Sequence, residues 1–196
     1  MSTPLPLLVF AGSTRAKSFN RQLATAASTY AGTAGAQVTH LELADFDLPI
    51  YNADLEARGT PAAAVKLKEI FHAHPAWIIA SPEYNGSYTA LLKNTIDWAS
   101  SPVNGNAEWQ DGTKPFRGKV VGVLSASPGA LGGLRSLSHL TPLLLNLQCW
   151  VAPKQFARSR AGEAFDPDGQ LSTEAARNAM HGVVDQVLWA GQRLRA

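Results

Sequence analysis

The sequence predicts an α/β protein: one doubly wound, five-stranded parallel sheet with helices on both faces, in a single domain over residues 1–196. Three observations carry this. Short, unbroken apolar runs recur along the chain, as expected of parallel strands buried on both faces. They alternate with segments of helical period. Glycine-rich polar loops follow the first, third and fourth of these runs.

Leu7 to Ala11 is the first strand; with no basic residues before it and Gly-Ser-Thr-Arg directly after, it reads as a buried strand rather than a signal peptide. Ser18 to about Ala34 is a helix with Leu23, Ala27, Tyr30 and Ala31 on one face, Ser18 as N-cap and Gly35 as stop. Val38, Leu41 and Leu43 mark the second strand, and 45–60 is polar and turn-rich. A helix opens with Pro61 and runs to about His72. Ala76 to Ser81 is the third strand, Thr89 to Ala99 a helix, and Ser100 to Arg117 a long loop rich in Pro, Gly and Asn. Lys119 to Ser125 is the fourth strand. Gly133 to Leu147 is a helix in which Pro142 implies a kink or a late start. Cys149 to Ala152 is the fifth strand, Asp166-Pro-Asp-Gly a turn, and Ser172 to Arg195 a long helix with Met180, Val183, Val184, Val187, Leu188, Gly191 and Leu194 on one stripe. Right-handed crossovers leave two candidate orders, 2-1-3-4-5 and a truncated dinucleotide-binding sheet.

Composition excludes several function classes. Apolar residues make up 45% of the 196 and charged residues 16%, which is a globular and not a disordered composition. Seventeen basic against fifteen acidic residues give a net charge of +2, with the basic residues scattered, so no nucleic-acid surface is expected. No run reaches the roughly 18 to 20 apolar residues of a membrane span. The single cysteine, Cys149, allows no intrachain disulfide and fits a reducing cytoplasm. Histidines 40, 72, 74, 139 and 181 show no ligand spacing, so no metal site is expected.

In doubly wound sheets ligands sit beyond the carboxyl ends of the strands, where the strand order reverses. In the order 2-1-3-4-5 the loops after strands 1, 3 and 4 line one crevice there. The first, Gly12 to Asn20, offers Ser13, Thr14 and Ser18 hydroxyls, the Asn20 amide, the Arg15 guanidinium and a helix N-terminus, a set suited to a phosphate. The second, Ser81 to Ser87, has the rigid backbone of Pro82 and Gly86 to serve a flat polar ring; its Glu83 reads as a helix cap or subunit contact as readily as a functional group. The third, Ser125 to Gly133, allows close backbone approach at Gly132 and Gly133. Walker A and Gly-x-Gly-x-x-Gly patterns are absent, which counts against a tightly held nicotinamide cofactor.

Taken together, Gly-Ser-x-Arg-x-x-Ser-x-Asn from Gly12, Pro-Glu-Tyr-Asn from Pro82, Leu-Lys-Asn-x-Ile-Asp-Trp from Leu92 and Ser-x-Ser-x-Gly-x-x-Gly-Gly from Ser125 resemble the NADPH-dependent FMN reductase family, whose members include bacterial quinone and chromate reductases. The resemblance runs from Leu7 to the last helix. It implies a flavodoxin-like fold of order 2-1-3-4-5 with one FMN per subunit. Ser13, Arg15, Ser18 and Asn20 would hold the phosphate, with Thr14 and Phe19 lining that loop. Pro82, Glu83, Tyr84 and Asn85 would flank the flavin ring, and Ser127 would contact it from the strand-4 side. It also implies NADPH or NADH as hydride donor, a small acceptor (quinone, free flavin, azo compound or metal oxyanion such as chromate), and a homodimer or homotetramer. Tyr88, Trp98 and Trp109 are expected as an aromatic interface patch at the crevice rim. No dedicated acid or base is needed, because the flavin carries the chemistry. The sequence departs from the family at Thr89-Ala90, at Thr141-Pro142 and in the long 100–117 loop. The competing reading, an electron carrier of the flavodoxin type, fits poorly with a charge of +2, since such carriers are acidic.

Overall fold

In a computed structural model that describes residues 3–194, six strands form one all-parallel sheet. The strands are β1 (Pro6–Ala11), β2 (Gln37–Leu41), β3 (Ala76–Ala80), β4 (Val120–Ala126), β5 (Trp150–Val151) and β6 (Phe156–Arg158). Their order is β2-β1-β3-β4-β5, with β6 also on β4. The flavodoxin-like order expected from the sequence is the one found, and the truncated dinucleotide-binding sheet is not.

The helices are α1 (Phe19–Thr33), α2 (Ala53–Arg58), α3 (Ala62–Ala73), α4 (Ala90–Ser100), α5 (Leu134–Asn146) and α6 (Glu174–Leu194). Because side chains alternate along a strand, each strand feeds two cores. Leu7, Val9, Ile78 and Ala80 pack with α1 and α6 on one face. Leu8, Phe10, Trp77, Ile79, Val121 and Val123 pack with α3, α4 and α5 on the other. α1 ends as its sequence implies: Gly35 takes φ +89°, and the amides of Gly35 and Ala36 close back on Gly32 and Ala31.

Four details differ from the sequence expectation. The polar stretch after β2 contains α2, capped by the Asn52 side chain, which accepts from the amides of Asp54 and Leu55. Of the two alternatives for Pro142, the late start is excluded: α5 begins at Leu134 and contains Pro142. The fifth strand is broken in two. β5 pairs with Val120 and Val121 of β4, and β6 pairs with Leu124 to Ala126 at its other end. Tyr88, Trp98 and Trp109 do not form an exposed rim patch. Trp98 and Trp109 are buried, with the Trp98 indole N–H donating to the Pro49 carbonyl, and Tyr88 packs against the α3–α5 core. Aromatic residues that the sequence places near a crevice do not distinguish core packing from a surface patch, because burial is decided by segments far along the chain.

The 100–117 loop is anchored from inside the domain. Lys68 on α3 is fully buried, and its ammonium donates to the carbonyls of Ala99 and Ser101; burial pushes its pKa down to about 8. Cys149 is buried too, with its thiol pushed up to about 12 by burial, so it is a packing residue and not a nucleophile at neutral pH.

α6 lies close on the sheet because β4 carries Gly122 beneath it. A Cβ at Gly122 would stand 2.7 Å from Val187 Cγ2 and 2.8 Å from Ile78 Cδ1. Gly122→Ala is therefore expected to lower stability by about 1–3 kcal/mol through overpacking. Urea denaturation measures it; an unchanged midpoint would mean that the helix has room to shift.

Candidate functional site

β1, β3 and β4 end together on one edge of the sheet, and their loops are held by hydrogen bonds that extend the ladder past the strands. The Gly12 amide donates to the Ala80 carbonyl, Ser81 to Leu124, and Ser127 to Arg158. β4 runs on to Ala126, whereas β3 stops at Ala80. The buried side chain of Asn20 takes the vacated place beside Ala126. Its Nδ2 donates to the Ala126 carbonyl at 2.8 Å, and its Oδ1 accepts the Ala126 amide at 2.9 Å. Asn20, expected from the sequence as a direct phosphate contact, thus has its amide engaged in joining the α1 loop to the β4 loop.

Three buried hydroxyls join the other two loops. Ser125 donates to the Ser81 carbonyl at 2.7 Å, Ser136 to the Ser81 hydroxyl at 3.0 Å, and Ser81 to the Pro82 carbonyl at 3.0 Å. Gly133, at φ +92°, lies so close to Ser125 that a Cβ there would overlap its Oγ. Thr89 caps α4 and donates to the Gly12 carbonyl at 2.7 Å. Sequence reading noted Thr89 only as a departure from the family pattern and gave Ser81, Ser125 and Ser136 no role. Their function is visible only once the strand ends are side by side.

A crevice of about 130 Å³ opens where the loops meet. Ser13, Arg15, Ser18, Phe19 and Asn20 line it from the first loop, Pro82, Glu83 and Tyr84 from the second, and Ser127 with Pro128 from the third. A second hollow of about 240 Å³ adjoins it and shares Ser13, Arg15 and Tyr84; Thr14 and Thr89 line its wall. Ten of the eleven residues singled out in the sequence line one or other of these. The eleventh, Asn85, lies in neither. It takes φ +52° and Gly86 φ +82°, with Tyr84 and Ser87 exchanging backbone bonds across them: a two-residue turn of the Asn-Gly type, in which Asn85 shapes the loop.

The crevice has an electropositive end. Ser18 stands at the N-cap of α1 without making a side-chain cap bond, and the first turn of α1 carries no acidic residue. The leading amides of α1 have no intrahelical acceptor, and the helix dipole adds positive potential there. Among the described residues Arg15 makes no ion pair; its guanidinium lies 5.7 Å from the Phe19 ring. The one carboxylate in the lining is neutralised. Glu83 pairs with Arg135, accepts its amide at 3.1 Å, and so caps the start of α5. Hydrogen bonding from Arg135 holds the Glu83 carboxyl below the usual carboxylate range. Among the described residues no group of three or more His, Cys, Asp or Glu side chains could hold a metal ion.

Glu83→Gln keeps the shape and removes the charge. Because the folded-state pKa is depressed, the carboxylate stabilises the fold above its unfolded-state pKa, and that contribution is lost as pH falls through the folded value. The variant is expected to be less stable than wild type at about pH 7, and the gap to close as the pH is lowered through and below the ordinary carboxylate range. A gap that stays constant across this range in urea titrations would remove the charge as its cause.

The sequence profile of NADPH-dependent FMN reductase matches residues 5–163. An NAD(P)H-dependent FMN reductase of Pseudomonas aeruginosa is 35% identical over 198 residues, covering 100% of both chains. A quinone reductase of Pseudomonas putida is 33% identical over 189 residues, covering 95% of this chain and 94% of its own. Among solved structures, the flavoenzyme NAD(P)H:(acceptor) oxidoreductase FerB of Paracoccus denitrificans superposes with a TM-score of 0.82 at 28% identity, over 97% of this chain and 98% of that one.

Proposed function

Since this chain belongs to the NADPH-dependent FMN reductase family and is an oxidoreductase using FMN and a nicotinamide dinucleotide, we propose that the crevice between the β1, β3 and β4 loops is its flavin site and that a quinone is its electron acceptor. The observation that carries this is the electropositive end of that crevice: an N-cap serine with no cap bond and an arginine with no ion pair, both facing an opening lined by the two other loops.

The donor set fits FMN. A phosphate dianion needs several donors and little competing negative charge. Ser13, Ser18 and Arg15, with the first amides of α1, supply the donors, and the Glu83–Arg135 pair removes the competing charge. Asn20 positions this loop through Ala126. Pro82 and Tyr84 on one side and Ser127 on the other form the walls for a flat ring, and Asn85 sets the turn that carries Tyr84. When bound, FMN takes two electrons from the dinucleotide and passes them to the acceptor. The chain itself binds, orients and partly dries the reacting ring; none of its side chains is required as acid or base.

Free flavin, azo compounds and metal oxyanions such as chromate are further candidate acceptors. The names of the relatives favour quinones over these. Exposed Tyr84, Leu131 and Leu134 beside the crevice support a homodimer or homotetramer, which sedimentation at micromolar concentration tests. No helix among the described residues is long and apolar enough to cross a membrane, in keeping with an enzyme of the cytoplasm.

Two experiments test the reading. The purified protein is expected to be yellow, or to become so with FMN, and to oxidise NADPH continuously when a benzoquinone is supplied. Flavin bound without steady-state oxidation would point to an electron carrier instead. Arg15→Ala is expected to weaken FMN by roughly ten- to a hundredfold, about 1.5–3 kcal/mol, and riboflavin far less, because riboflavin lacks the phosphate. Equal losses for both flavins in fluorescence titrations would place Arg15 at the ring or in the fold; no loss for either would put the phosphate elsewhere.

A further inference from the structure

Beside the third loop lies a separate polar hollow of about 410 Å³. Ala130 of that loop closes one side. The rest is formed by Arg158 at the end of β6, Ser159, Arg160, Glu163, and Ser172 with Thr173 just before α6. We propose that this hollow receives the 2′-phosphorylated ribose of NADPH and so makes the chain prefer NADPH to NADH. This rests on the reading of the chain as a dinucleotide-oxidising flavoenzyme and goes beyond it by naming where the donor is recognised.

The chemistry comes first. Two arginines line one hollow, and among the described residues neither side chain forms an ion pair or a hydrogen bond. Arg158 Nε is sealed from solvent and has no hydrogen-bond partner there. A buried N–H without an acceptor is costly, and a ligand oxygen that reached it by a small adjustment of this side chain would relieve that cost. Arginine forks match the paired oxygens of a phosphate. Hydroxyls at Ser159, Ser172 and Thr173 add donors, and the start of α6, 21 residues long, adds dipole. Glu163 sets one negative charge against the two positive ones. A bare anion would gain nothing from it, whereas a sugar hydroxyl can donate to it. The mixture of paired cations, hydroxyls and one carboxylate suits a phosphorylated ribose.

Placement comes second. The 2′-phosphate lies at the opposite end of the dinucleotide from its reacting ring, so its site must lie beside the flavin crevice and not within it. Ser127, on the crevice wall, and Ala130, on the wall of the hollow, are three residues apart, at most about 11 Å along the chain. The arginines are held firmly there. The Arg160 amide donates to Gly129 and the Ala161 amide to Ser127, while the Arg158 carbonyl accepts the Ser127 amide. Arg160 takes the left-handed φ of +49°, uncommon for a residue with a side chain. Gly132 presses so close that a Cβ would stand 2.6 Å from the Ser159 amide nitrogen.

The test uses the FMN-loaded protein. Wild type is expected to bind 2′,5′-ADP at least about tenfold more tightly than 5′-AMP in calorimetry, and Arg158→Gln and Arg160→Gln to abolish that margin. In turnover the same variants are expected to raise KM for NADPH about tenfold or more, leaving kcat, KM for NADH and FMN affinity within about twofold of wild type. Ser172→Asp, at an exposed position, puts a negative charge into the hollow without altering half-buried Arg158, and is expected to act in the same direction should an arginine variant fold poorly. Equal effects on NADPH and NADH, or no effect on either, overturn the proposal. So does inorganic phosphate binding as tightly as 2′,5′-ADP, which would make this a free-phosphate site. A wild type that oxidises neither dinucleotide, yet still distinguishes 2′,5′-ADP from 5′-AMP, would instead sink the functional reading and leave the phosphate site standing.

Discussion

Everything at the ligand end of this sheet depends on how β4 is finished after β3 has turned away. A strand interior cannot leave an amide and a carbonyl without partners, and Ala126 at the end of β4 has both. The Asn20 side chain answers with a donor and an acceptor in the geometry of a peptide group, at 2.8 and 2.9 Å. Because Asn20 lies in the first turn of α1, the same two bonds set where that helix begins, and therefore where its free amides, Ser18 and Arg15 lie relative to the β4 loop. One buried amide thus couples a fold requirement to the shape of the anion end of the crevice.

Electrostatics follow the same economy. A carboxylate in the second loop would oppose an anion in the crevice, but Glu83 is bound to Arg135 and caps α5. The pair joins the second loop to the third and, among the described residues, leaves Arg15 without an ion pair at the electropositive end of the crevice. Arg135 is mostly exposed while the Glu83 side chain is nearly covered, so the carboxylate bears the larger desolvation cost, and the backbone amide of Arg135 contributes to offsetting it.

How far this could be read from the sequence varies with the physics involved. β1, β3 and β4 are almost entirely buried runs of five to seven residues, and the 3.6-residue period of α1 and α6 is strong, so a parallel α/β sheet was legible; the choice of order 2-1-3-4-5, which brings the three loops together, came with the family resemblance. The break between β5 and β6 was not: two strands of two and three residues carry no period, and their pairing is a property of β4. Asn85 is expected at the ring only through the Pro-Glu-Tyr-Asn resemblance; its local part, forming an Asn-Gly turn with positive φ, is what the structure shows. Asn20 read as a ligand because its partner, Ala126, is 106 residues away. The aromatic rim failed for a related reason, since burial of Trp98 is decided by the Pro49 segment across a long loop.

The glycines of the third loop bear on how ligand binding is made favourable. Glycine-rich loops are commonly taken as flexible, yet Gly132 and Gly133 are packed where a Cβ would collide with Ser159 and Ser125. Their role is closeness: they let the loop lie against β4 and β6 with positive φ at both positions. A loop held in this way has little ordering entropy left to lose on binding, so contacts made to it translate more fully into affinity. The same packing fixes the two faces of the loop together. A ligand group at Ser127 and another at Ala130 would then be measured against one rigid partition, which would let a long two-ended molecule be aligned by its far end while its reacting end lies at the crevice.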